Sequence, residues 1–170
     1  MRIGDLVLRL PTSKDLHALT RAFAEGELSE EDNISPFSRD EVANGFPYLR
    51  ELAASGRFAP LVVADVESGV VFGGGTLHHL DPERGLIELG YWLFPWARGR
   101  GIATKVARVL AEHAFALGIH RVAAYVTVGN LASERVLERA GFTREGVIRS
   151  MPKSGGCRVD KTIFSLLPGE

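Results

Sequence analysis

Arg98-Gly99-Arg100-Gly101-Ile102-Ala103 is the stretch whose reading decides the fold. It follows an apolar run, Leu86-Ile87-Glu88-Leu89-Gly90-Tyr91-Trp92-Leu93, and precedes an amphipathic segment ending near Leu117. The order is therefore strand, tight glycine turn, helix. The first turn of such a helix leaves main-chain N–H groups without intrahelical partners, and the aligned peptide dipoles add partial positive charge there. Gly99 and Gly101 carry no Cβ, so an anion can approach the backbone and the first-turn amides of Ile102, Ala103 and Thr104. Arg98 and Arg100 bring full charges to the same place. Two glycines interleaved with two arginines predict a ligand that bears several phosphates.

Two familiar phosphate turns do not match. A P-loop needs Gly-Lys-Ser/Thr, whereas Ile102 follows Gly101 and Lys105 lies a turn into the helix. A dinucleotide fingerprint needs a third glycine and an acidic residue closing the next strand, yet Gly99-x-Gly101 leads to Thr104 and Arg121 to Thr127 contains no Asp or Glu. An ordinary turn on a basic surface stays open if the hexapeptide is taken alone.

It does not stand alone. Arg98-x-x-Gly101-x-Ala103 resembles the coenzyme-A pyrophosphate turn, Gln/Arg-x-x-Gly-x-Gly/Ala, of the GNAT superfamily of N-acetyltransferases. Downstream, Asn130-Leu131-Ala132-Ser133 followed by Ala140-Gly141-Phe142 resembles the second signature of the same superfamily. Glu88 to Leu93, taken with Asn130 to Ser133, is most similar to the RimJ/RimL branch, which acetylates protein N-termini and other amines. The resemblance covers Leu86 to Gly146. It implies a single-domain GNAT-like α/β fold over residues 1–170: a mixed, mostly antiparallel sheet with a central parallel strand pair and helices on both faces. It also implies acetyl-CoA as co-substrate.

Composition limits the other classes. The 170 residues suit one domain with one core. A net charge of −1 with dispersed basic residues argues against nucleic acid as a partner. No apolar run approaches the ~20 residues of a membrane span, and Met1-Arg2-Ile3-Gly4-Asp5 does not open a secretory leader. The single cysteine, Cys157, fits a reducing cytoplasm. It follows Gly155-Gly156 with no local base, so it is a poor nucleophile. No metal is expected. His78 and His79 are adjacent, which in a strand sends them to opposite faces, and His17, His113 and His120 fall in unrelated elements.

Patterning fills in the remainder. Leu6 to Leu10 predicts a strand stopped by Pro11, and Thr12 with Asp15 opens a helix from about Ser13 to Glu25. Glu27, Glu30, Glu31 and Asp32 make an acidic stretch, read either as a solvated loop or as a lip that draws in a cationic amine. The resemblance implies that this region shapes the acceptor pocket. Ser38 with Glu41 opens a second helical stretch, broken at Gly45-Phe46-Pro47. Phe58 to Asp65, Val70 to His78 and Leu86 to Leu93 predict an antiparallel meander. Gly73-Gly74-Gly75 lies inside a strand pattern and is read as close packing, not as a phosphate loop. Ile102, Val106, Val109, Leu110 and Leu117 form the apolar face of the helix after the turn. That helix links Leu86 to Leu93 with Arg121 to Val128, a crossover that makes the two strands parallel. Asn130 caps a short helix ending at Ala140, and two antiparallel strands close the chain.

Ligands of such sheets lie beyond the C-terminal ends of parallel strands. Pro95 cannot donate to a ladder, so main-chain groups at Leu93 and Phe94 should stay free to hold the pantetheine arm and polarise the thioester. Acetyl transfer needs a neutral amine and hence a proton acceptor. Glu88, the sole charge in its run, is the candidate, with its pKa raised by an apolar setting; a structural ion pair is the competing role. Its place upstream of the turn is similar to that of the catalytic glutamate in some superfamily members. Many members carry a tyrosine that protonates the departing thiolate, and the matching position here is Leu137. Ser133, similarly placed in RimL-like enzymes, is the remaining hydroxyl, and Asn130 is expected to contact the pantetheine amides as well as to cap. Tyr91 and Trp92 either line the acceptor pocket or join the core. The resulting expectation is direct transfer from acetyl-CoA to a primary amine, a protein N-terminus or a small amine, with a homodimer as an open partner state. The competing reading is an acyl-CoA-binding module that transfers nothing.

Overall fold

The computed structural model describes residues 1–23, 59–153 and 156–170. Among them run β1 (Arg2–Ile3), β2 (Leu6–Arg9), α1 (Leu16–Phe23), β3 (Ala59–Asp65), β4 (Val71–Asp81) and β5 (Leu86–Leu93). There follow α2 (Ile102–Ala116), β6 (Arg121–Thr127), α3 (Leu131–Ala140), β7 (Thr143–Pro152) and β8 (Arg158–Leu166). The helix expected from Ser13 begins as a 3-10 turn, Ser13–Asp15. There the Thr12 N–H donates to Asp15 Oδ2 at 2.7 Å, and Arg9 grips the same carboxylate with two nitrogens at 2.6 and 2.8 Å. The acidic stretch from Glu27 to Asp32 and the helical stretch from Ser38 lie outside the described residues.

The strands form one sheet in the order β1-β2-β3-β4-β5-β6-β8-β7. Among the described strands only β5 and β6 are parallel, as a helix crossover dictates. The closing strands pair with each other as expected, but β8 slots between β6 and β7. No helix among the described residues is long and apolar enough to cross a membrane.

α2 packs its small side on the sheet: Ile102, Ala103, Val106, Ala107, Leu110, Ala111 and Ala114 are buried, while Lys105, Arg108 and Glu112 face out. Four alanines let the helix lie close to the strands beneath. Leu117 does not belong to this face, because the helix stops at Ala116 and Leu117 is 68% exposed.

The glycine run in β4 has the packing role expected of it. A Cβ on Gly75 would lie 2.7 Å from Leu110 Cδ1 and 2.9 Å from Val106 Cγ1, and one on Gly73 would lie 2.2 Å from the Trp92 carbonyl oxygen. Gly75, paired with Tyr91, thus faces α2. Strand alternation then puts Thr76, His78, Glu88 and Trp92 on the other face of the sheet.

Candidate active site

The site begins where β5 and β6 part. Their ladder covers only Leu86↔Arg121, Ile87↔Val122 and Glu88↔Ala123, although β5 runs to Leu93 and β6 to Thr127. Beyond Glu88 the two strands diverge into a wedge. Phe94 N–H donates to Phe72 O at 3.0 Å, so Phe94 faces β4. Alternation therefore turns the main chain of Leu89, Tyr91 and Leu93 toward the wedge.

The expectation that Pro95 leaves Leu93 and Phe94 free needs correction. Phe94 spends its N–H on Phe72, and the Leu93 carbonyl accepts Arg98 Nε at 3.2 Å. Pro95 sits one residue beyond the ladder, where it opens the 3-10 turn Pro95–Ala97. The wedge side of β5 is where unpaired edge remains.

At the mouth of the wedge stands the glycine turn. Gly99 and Gly101 take φ values of +74° and +71°, and Gly101 is the N-cap of α2. Nothing lies within 4 Å of a Cβ built on either, so left-handed backbone, not lack of room, demands glycine there. The first intrahelical bond is Lys105 N–H to Gly101 O at 3.2 Å, which leaves the Ile102, Ala103 and Thr104 amides without helical acceptors. The first turn holds no acidic residue. Arg98 is steadied by the Leu93 carbonyl, and the Arg100 guanidinium lies over the Phe72 ring, 5.0 Å from its centre. Two arginines thus flank an exposed backbone turn at a helix N-terminus, an arrangement whose chemistry suits an anion.

α3 borders the other side of the wedge. Asn130 Oδ1 accepts the Ser133 N–H at 3.1 Å, the cap read from sequence, and Gly141 ends the helix at φ +100°. Tyr91 bridges the gap by donating its hydroxyl to Ser133 O at 3.1 Å. Burial pushes the Tyr91 phenol up to about 12, with the Ser133 contact easing it slightly, so it stays protonated at neutral pH. Tyr91 therefore belongs to the wedge. Leu137 is wholly buried.

On the opposite face of the sheet Glu88 is not in the apolar setting expected of it. Its Oε2 lies 3.0 Å from His79 Nδ1 and 3.4 Å from His78 Nε2. Burial tends to raise the Glu88 pKa, but the two imidazole contacts together outweigh it and hold the carboxyl below its ordinary value. The premise that His78 and His79 diverge also fails. The β4–β5 register shifts between His78 and Asp81, and His79 adopts φ +51°, which swings its ring back toward its neighbour. The two rings meet edge to face at 4.7 Å. His78 is further held by Thr76, whose Oγ1 is 3.3 Å from Nδ1.

Sequence reasoning missed two further residues near Glu88. The Tyr125 phenol is raised by burial and then by the Glu88 charge; the Lys161 ammonium is lowered by burial, with Glu88 partly restoring it. Lys161 is only 7% exposed, and nothing in its strand pattern distinguishes it from a surface lysine. Arg121 and Glu145 pair beside them, with Ser165 also donating to Glu145 at 2.7 Å.

Comparison with known proteins gives the geometry a setting. Residues 5–143 match the family model described as the acetyltransferase (GNAT) domain. The uncharacterized N-acetyltransferase p20 of Bacillus licheniformis is 28% identical over 97% of this chain and 94% of its own length. YdaF of Bacillus subtilis, provisionally named a ribosomal N-acetyltransferase, is 37% identical over 62% of this chain and 61% of its own. The crystal structure of Mycobacterium smegmatis RimJ in complex with CoA-disulfide superposes with a TM-score of 0.84, covering 96% of this chain and 82% of that one at 24% identity.

Proposed function

The chain belongs to the GNAT acetyltransferase family, and from that premise we propose that it moves the acetyl group of acetyl-CoA directly onto a primary amine. The observation that carries this reading is the exposed turn at Gly99 and Gly101, whose first-turn amides and two arginines open onto the wedge between β5 and β6. The coenzyme diphosphate rests on Ile102, Ala103 and Thr104 with Arg98 and Arg100 beside it. The pantetheine arm follows the unpaired edge of β5 past Leu93, on the side away from Phe94, toward Asn130 and Ser133. The acetyl carbonyl then lies near the crotch of the wedge, where Glu88 and Ala123 make the last ladder pair.

In the reaction the amine lone pair attacks the thioester carbon, the C–S bond breaks and coenzyme A leaves as thiolate. The amine proton passes to Glu88. Its depressed pKa keeps Glu88 ionised across the neutral range, so it acts as an always-available acceptor of modest strength. The His78–His79 pair fixes the carboxylate. Leu137 supplies no proton to the thiolate; the Ser133 hydroxyl is the replacement read from sequence, and Tyr91, whose hydroxyl donates to Ser133 O, holds that stretch in place. Because coenzyme A is a tolerable leaving group, a hydrogen bond to sulfur suffices.

For the acceptor we infer a protein N-terminus or a small amine, as in the RimJ/RimL branch; the provisional name of YdaF supports that class. Mixing the protein with acetyl-CoA and a panel of N-terminal peptides, polyamines and aminoglycosides, with thiol release as readout, tests the proposal. Release above hydrolysis with any amine supports it. Tight coenzyme binding without release across the panel favours the second reading, a non-catalytic acyl-CoA module, for which the buried Leu137 is the specific observation.

A further inference from the structure

We propose that His78, His79 and Glu88 form a binding site for a divalent transition-metal ion of the zinc type, a site that acetyl transfer does not call for. One nitrogen from each imidazole and one carboxylate oxygen all lie within 4.8 Å of one another. Two ligands sharing a tetrahedral zinc at about 2.0–2.2 Å stand about 3.4 Å apart. The distances from Glu88 Oε2, 3.0 Å to His79 Nδ1 and 3.4 Å to His78 Nε2, are already close to that. The ligand atoms span up to 4.8 Å, so ring rotation must close the set, and His79, with 73% of its side chain exposed, has room to make it.

The surroundings suit ligation. His78 Nδ1 faces Thr76 Oγ1 at 3.3 Å, the outer contact that commonly fixes the tautomer of a ligating histidine. With Nδ1 held at that hydroxyl, Nε2 is the ring nitrogen that faces Glu88, 3.4 Å from Oε2, and it is the atom placed to ligate. Three protein ligands with solvent on the His79 side leave a coordination position open, as in zinc sites that bind water. Two imidazoles with one carboxylate select zinc, nickel or copper over magnesium or calcium.

Occupancy masks the carboxylate to which the proton transfer was assigned, so zinc should inhibit turnover. That consequence rests on the acetyl-transfer reading, whereas the binding itself does not. The test is calorimetric titration of the full chain with zinc chloride, paralleled by the visible absorption of added cobalt(II). One ion per chain is expected, weakened about 10-fold or more in His79→Ala and in Glu88→Gln and unchanged in His113→Ala. His79 is exposed, so His79→Ala should melt like the parent without zinc, which separates lost ligation from lost folding. An absence of binding heat and cobalt absorption in the parent overturns the site, and so does parental affinity in His79→Ala. If zinc binds as stated yet thiol release continues at full rate, the metal site stands and the role of Glu88 in catalysis falls.

Discussion

β5 carries two polar centres built on opposite plans. At its C-terminal end the turn from Arg98 to Ala103 is made of consecutive residues, and its donors are backbone amides held by glycines at φ +74° and +71°. Midway along it, Glu88 meets His78 and His79 of β4, so that cluster is made of side chains brought together by strand register and one bulge. The turn keeps its form wherever a helix starts behind those glycines. The cluster exists only if β4 and β5 pair in this register. Local backbone chemistry is therefore robust and readable, while side-chain convergence depends on the whole sheet.

The largest effect should come from breaking the seam that supports both centres. Gly73→Ala drives a Cβ to within 2.2 Å of the Trp92 carbonyl oxygen and should cost about 3 kcal/mol. Urea unfolding measures it, and a variant as stable as the parent contradicts the close β4–β5 approach.

Separating the two centres comes next. Glu88→Gln should lower kcat about 100-fold while coenzyme affinity stays the same. Since the carboxyl lies below its ordinary pKa, the ratio of parent to variant rates should be flat across the neutral range. A ratio that grows steadily as pH rises through neutrality would mean that Glu88 itself titrates there, with its pKa raised instead of lowered. In the converse experiment, Arg98→Ala with Gly101→Val should weaken coenzyme binding about 30-fold, on the order of 2 kcal/mol, through a lost charged contact and a β-branched residue forced into left-handed backbone. Equal calorimetric affinity in the double variant removes the phosphate site.

The smallest effect is reserved for an ion pair on the face that carries the histidine cluster. Arg121, with Ser165 assisting, holds Glu145 down to about 2. A depressed carboxyl pKa contributes stability above its ordinary value of 4.5, and that contribution fades as pH falls toward about 2. The pair is about one-third exposed and screened by solvent, so Glu145→Gln should cost only about 0.5 kcal/mol at neutral pH. Thermal melts at neutral and acid pH check the size and the sign: the difference from the parent should vanish in acid.

Much of the fold was legible because its signals are short-range. Pro11 ended β2, Gly101 capped α2, Asn130 capped α3, and the period of Ile102, Val106 and Leu110 matched the buried side of α2. Leu117 misled because periodicity does not show where a helix stops. At the candidate site, Asn130 and the glycine turn stand where the sequence placed them. The free N–H expected at Phe94 was misread, since the ladder extends through it to Phe72, and no rule of residue type sets that last bond.

From sequence alone came most of the elements, though not β1 or the turn Pro95–Ala97, together with the parallel crossover around the glycine turn and the family. These follow from dihedral preferences, capping and apolar period, which act over a few residues. Only the tertiary structure decided that β8 lies between β6 and β7, that Tyr91 reaches Ser133 across the wedge, and that a bulge at His79 turns two adjacent histidines onto one carboxylate. The reason is physical: a single extra residue in a strand reverses which face each later side chain takes, and its position is fixed by packing across strands, not by the residues that host it.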